Sequence, residues 1–79
     1  MELKLFHRTQ RDLASTVNQI IDDYWNNKIS EQQMMDFIKA LHKNNSSKFV
    51  KNQRFTTIIQ QQCGKRRLEI VKKIINIDC

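Results

Sequence analysis

Gln60-Gln61-Gln62-Cys63-Gly64-Lys65-Arg66-Arg67-Leu68-Glu69 contains the only glycine of a 79-residue chain that has no proline. Read as a turn, Gly64 divides the C-terminal third into two short helices; read as a gap, it sits inside one long helix. Hydrophobic spacing favours the second. Projected at about 100° per residue from Phe55, the side chains Ile58, Ile59, Cys63, Ile70, Ile74 and Ile77 fall in one sector that crosses the glycine without a change of phase. The spacing therefore predicts a single helix over residues 55–77. In it, Gly64 costs about 1 kcal/mol relative to alanine and marks a place where another helix or a symmetry mate packs closely. Leu68, Val71 and Ile75 form a second apolar strip on a different side of the same helix. Two apolar sides require either a central position in the fold or a second copy of the chain, and the sequence leaves both open.

The competing reading is a helix-turn-helix with Gly64 in its turn. Ile59, Cys63 and Ile70 suit that motif's apolar positions. Gln60 stands where a small residue is needed, Lys65 where an apolar one should follow the glycine, and Lys73 where the second helix should face the core. A match of this quality is near what any amphipathic segment gives.

Upstream, Leu13, Ala14, Val17, Ile20, Ile21, Tyr24 and Trp25 fill a sector of about 140°, which predicts a helix over residues 10–26 capped by Thr9 with Asp12. Ser30 with Gln33, flanked by Ile29 and Met34, forms a capping box and hydrophobic staple for a second helix over 31–43, whose stripe is Met34, Phe37, Ile38 and Leu41. The short link makes the two an antiparallel hairpin. Asn44-Asn45-Ser46-Ser47 breaks the second helix. Phe49 and Val50 then serve either as an edge strand or as a plug for the open end of the hairpin. The expected fold is mostly α, one small three-helix domain over residues 1–79: a helical hairpin plus a long C-terminal helix. Residues 2–6 and 48–51 are candidates for a short two-stranded β pair.

Charge narrows the function. The chain carries +6, with an isoelectric point near 9.7. Residues 43–67 hold seven basic side chains and no acidic one. Such a segment favours an anionic partner. Lys48, Lys51, Arg54, Lys65, Arg66, Arg67 and Lys72 are accordingly the candidate phosphate contacts for DNA or RNA. The alternative is a protein-interaction module, an inhibitor or adaptor, that docks an acidic partner or a second copy through Gly64, Leu68, Val71 and Ile75. Gln60, Gln61 and Gln62 read more simply as a solvated helical face. The aromatic residues have core spacing, with Trp25 the one expected to be partly exposed.

Other classes find little support. His7, His42, Cys63 and Cys79 lack the paired spacing of zinc ligands, so no metal is expected. Asp22 and Asp23 diverge on their helix, and neither a nucleophile motif nor a glycine-rich phosphate cradle is present, so the chain reads as a non-enzyme without a cofactor. Cys63 falls on an apolar stripe, whereas Cys79 reads as an accessible thiol. The N-terminal Met-Glu-Leu-Lys-Leu-Phe-His is not a secretory signal, no apolar run is long enough to span a membrane, and two cysteines suit a reduced cytoplasm.

Arg8-Thr9-Gln10-Arg11-Asp12-Leu13-Ala14, Ile21-Asp22-Asp23-Tyr24-Trp25, Phe55-Thr56-Thr57-Ile58-Ile59 and the segment Cys63-Gly64-Lys65-Arg66-Arg67-Leu68-Glu69 carry a resemblance. Together they resemble a small family of hypothetical proteins from Gram-positive bacteria and their mobile elements. The resemblance covers nearly the whole chain, with the segment from Cys63 to Glu69 its most specific part. It implies a bacterial, cytosolic setting and no mechanism.

Overall fold

The Thr9 hydroxyl accepts the Asp12 N–H at 3.1 Å and starts helix α1, Gln10–Trp25, as the capping pattern predicts. Its end needs a left-handed residue, which Asn27 supplies at φ 61°. The Lys28 N–H donates to the Asp23 carbonyl at 2.8 Å and the Asn27 N–H to the Tyr24 carbonyl at 3.1 Å, a Schellman closure made without glycine. Ser30 and Gln33 exchange both bonds of the capping box at the start of α2, Glu31–Asn44. The computed structural model describes residues 7–52 and 54–75.

Beyond α2, a single turn α3, Ser46–Phe49, leads into strand β1, Val50–Lys51, which pairs antiparallel with β2, Arg54–Phe55. Val50 faces Phe55 and Lys51 faces Arg54, and the chain leaves β1 at Asn52 with φ 55°. The β pair thus forms within residues 50–55. The suggested pairing with residues 2–6 lies outside the described residues. Phe49 is the plug and Val50 the edge strand: the Phe49 ring is fully buried, 6.0 Å from Phe55 and edge-on to His42 at 5.9 Å. Asn45, although part of a polar breaker cluster, is buried at the junction of α2 and α3. Its Oδ1 accepts the His7 N–H at 3.0 Å, and its Nδ2 donates to the Leu41 carbonyl at 2.9 Å. This is how a buried amide satisfies both its ends.

Helix α4, Thr57–Ile75, overturns the expectation of an unbroken C-terminal helix. Gly64 stands at φ 80°, ψ 165°, so α4 is two arms, residues 57–63 and 65–75, joined at a corner. That backbone region is essentially confined to glycine. A Cβ placed on Gly64 would meet no atom within 4 Å, so the residue is required by its dihedral angles and not by close packing. The corner also resets the helical phase. Continued straight on from Ile59 and Cys63, the helix would bury Ile70 and Ile74; instead Leu68 and Val71 are buried, at 8% and 0% exposure, and Ile70, Ile74 and Ile75 only partly. The apparent second strip is therefore the core face of the C-terminal arm. The mostly helical fold with its short β pair stands, but the long straight helix does not. Nor is the corner a helix-turn-helix, whose turn takes three or four residues; Gln60, Lys65 and Lys73 are all exposed.

The core is one cluster in which α4 packs mainly on α1 and also on α2. An interrupted helix leaves carbonyls without partners, and α1 and Arg67 supply them. Asn18 Nδ2 donates to the Gln62 carbonyl at 2.9 Å, and Arg67 Nη1 to the Cys63 carbonyl at 3.2 Å. Substituting Gly64→Ala forces an L side chain to φ 80° and should lower the unfolding free energy by about 1–3 kcal/mol. Urea denaturation checks this; an unbroken helix would instead give a gain of about 1 kcal/mol.

Candidate nucleic-acid interface

The corner and the hairpin between them shape an open groove of about 600 Å³. One side of it is a single face of the C-terminal arm: Lys65, Leu68, Glu69 and Lys72 follow one another at helical spacing. The opposite side is formed by Arg54 and Phe55 of β2, with Gln60 between. Three cations thus converge on a concavity floored by Phe55 and Leu68. A smaller hollow of about 350 Å³, lined by Lys51, Thr56, Thr57 and others, lies beside Phe55, which lines both.

Four of the candidate cations sit where folding electrostatics does not favour them. Lys51 and Arg54 are directly opposed on the β pair and both exposed. Like charges in that position cost a few tenths to about 1 kcal/mol. Lys65 and Arg66 begin the C-terminal arm, next to the N-terminal end of its dipole, where positive charge is unfavourable. Without the break at Gly64 they would be mid-helix and neutral in this respect. Lys72, in the last turn, is in the favourable place.

Arg67 belongs to the fold. Its Nε and Nη2 grip the Asp22 carboxylate, at 3.1 Å and 2.9 Å to Oδ1 and 3.1 Å from Nη2 to Oδ2. Its guanidinium also lies 5.8 Å from the centre of the Trp25 ring. Asn18, Asp22 and Trp25 stand four and three residues apart, on one face of α1, and all three engage the corner region through Gln62 or Arg67. Arg67 is thereby removed from the candidate phosphate contacts. Lys48 lies on α3 outside the groove, and its carbonyl accepts from Thr56 Oγ1 at 2.9 Å.

The candidate docking strip fares differently. Leu68 and Val71 are core residues, Ile75 packs against that core, and Gly64 is exposed with open space beside it. This corrects the expectation of an accessible apolar strip, because the chain itself covers most of it. The largest exposed apolar side chain among the described residues is Trp25, at 45%. Among the described residues no three metal-capable side chains cluster, and no helix is long and apolar enough to cross a membrane.

Sequence reasoning missed Gln60 and Glu69 as groove residues, and Asn18 and Asp22 as partners of the corner. The i, i+4, i+7 spacing of Asn18, Asp22 and Trp25 was the available signal for the latter. Cys63, as expected, is an interior thiol; burial pushes it up to about 11 from 9.0, with the Arg67 charge pulling back in part.

Two outcomes follow from these placements. Arg67→Met should lower the urea midpoint by an amount equivalent to about 1 kcal/mol, discounted for the partial exposure of the pair, and should perturb Trp25 fluorescence. Unchanged stability and emission would remove Arg67 from the corner. Iodoacetamide near pH 8 should leave Cys63 unmodified in the folded chain and modify it in urea, read by peptide mass mapping.

No curated protein and no solved structure matches the chain. A family model described as a conserved hypothetical protein matches residues 4–76. With that match covering nearly its whole length, the chain belongs to this family of conserved hypothetical proteins.

Proposed function

We propose that this protein is a small nucleic-acid-binding module that contacts phosphates through the hairpin tip and the first turn of the C-terminal arm. The carrying observation is the placement of Lys51 opposite Arg54, and of Lys65 and Arg66 at a helix start, both against the interest of folding. Violations of local electrostatics concentrate where a surface serves binding. Phosphates would relieve both repulsions at once. Lys51, Arg54, Lys65, Arg66 and Lys72 are the contacts; a reduced bacterial cytosol is the setting. A protein-docking role loses support because its apolar strip is mostly buried, and Trp25 alone is a small patch.

The test pairs affinity with stability. Replacing Lys65→Gln and Arg66→Gln together should weaken binding to labelled DNA or RNA at about 50 mM salt by tenfold or more and reduce the log–log salt slope by about 2. The same change should leave the fold as stable or slightly stabilise it, since it removes charge from the wrong end of a dipole. Absence of binding by the unaltered chain at low salt, or an affinity indifferent to the double change, overturns the reading.

A further inference from the structure

Resting on that reading, we propose that the groove takes an unpaired nucleotide, so that the ligand is single-stranded nucleic acid whose base edge donates a hydrogen bond to Glu69. Three features carry this. First, the site is concave and about 600 Å³, within the range of pockets that hold a small molecule with a ring system. The convex surface of a duplex reaches only its rim, whereas a splayed base reaches the Phe55 and Leu68 floor.

Second, the cations at its edges enclose a carboxylate. Glu69 lies between Lys65 and Lys72 on the lining face of the arm, with its side chain exposed at the groove. An acidic side chain engages the cations but offers Glu69 no donor. A nucleotide satisfies both, with phosphate on Arg54 and Lys65 and an amino-bearing base edge at Glu69; cytosine N4 is such a donor. Thymine offers an oxygen there instead. Third, the groove shares its Phe55 wall with the hollow that holds Lys51. A strand leaving the groove past Phe55 therefore arrives at a further cation, which suits a polymer more than a free nucleotide.

Fluorescence anisotropy of the full chain, with oligodeoxycytidine, oligodeoxythymidine and a duplex of equal length, tests the proposal at about 50 mM salt. The single strand should bind about tenfold more tightly than the duplex, and oligodeoxycytidine about fivefold more tightly than oligodeoxythymidine. Glu69→Gln, which offers an amide donor as well as an acceptor, should bring the two single strands to nearly equal affinity. Duplex binding as tight as single-strand binding, still weakened by the Lys65 and Arg66 changes, sinks this inference and leaves the phosphate-binding reading standing. A cytidine-to-thymidine ratio that survives Glu69→Gln removes Glu69 as the acceptor, and equal binding of polyglutamate assigns the groove to acidic protein. No binding of any nucleic acid overturns both readings.

Discussion

The backbone of Gly64, at φ 80° and ψ 165°, is the constraint on which the rest of the C-terminal half depends. One residue in a conformation open only to glycine turns the helix path and rotates the inward face, so that Leu68 and Val71 enter the core in place of Ile70 and Ile74. The corner is stabilised from outside itself. Asn18 on α1 satisfies the Gln62 carbonyl, and Arg67 satisfies that of Cys63 while held by Asp22 on the same face of α1. The Cys63 carbonyl is part-buried, where an acceptor left unpaired costs roughly 1–3 kcal/mol, whereas the Gln62 carbonyl is exposed and its bond from Asn18 chiefly ties α1 to the corner.

This corner links fold to charge. By starting a new helix at Lys65, it places Lys65 and Arg66 where the helix dipole opposes them and turns one side of the arm toward Arg54 on the hairpin. The hairpin depends in turn on Asn52, which adopts φ 55° and sets Lys51 against Arg54. Basic residues scattered around an idealised straight helix become, after the break, a groove with cations on two sides. Arg67, in the middle of the same basic run, is spent on the fold, so the run is two kinds of residue with separate duties.

Much of the fold was legible in the sequence. Thr9 and Ser30 announced the starts of α1 and α2, and their stripes gave the inward faces, because capping and amphipathic spacing are local properties. A strand at Val50–Lys51 was legible, but its pairing with Arg54–Phe55 was not, since Asn52 carries little of a hairpin signal without a following glycine. The corner was misread for a physical reason. Ile70 and Ile74 continue the phase of Ile59 and Cys63 closely enough that periodicity favours a straight helix, and the rotation at Gly64 is a backbone property that side-chain spacing does not report. Of the candidate contacts, Lys51, Arg54, Lys65 and Lys72 border the groove or its neighbour, while Arg67, Leu68 and Val71 have core or corner roles. The role of Arg67 depends on Asp22 and Trp25 of α1, whose spacing with Asn18 marks one helix face but does not say which distant residue meets it.

The corner is tested most directly by chirality. Cys63 allows a thioester of residues 1–62 to be ligated to a synthetic segment carrying glycine, L-alanine or D-alanine at position 64. A D residue mirrors the preferences of an L residue, so φ 80° is comfortable for it and strained for L-alanine. The account predicts that the D-alanine chain is at least as stable to urea as the glycine chain, and that the L-alanine chain is the least stable of the three. If L-alanine proves the most stable and D-alanine the least, residues 57–75 form a continuous right-handed helix and the corner at Gly64 does not exist.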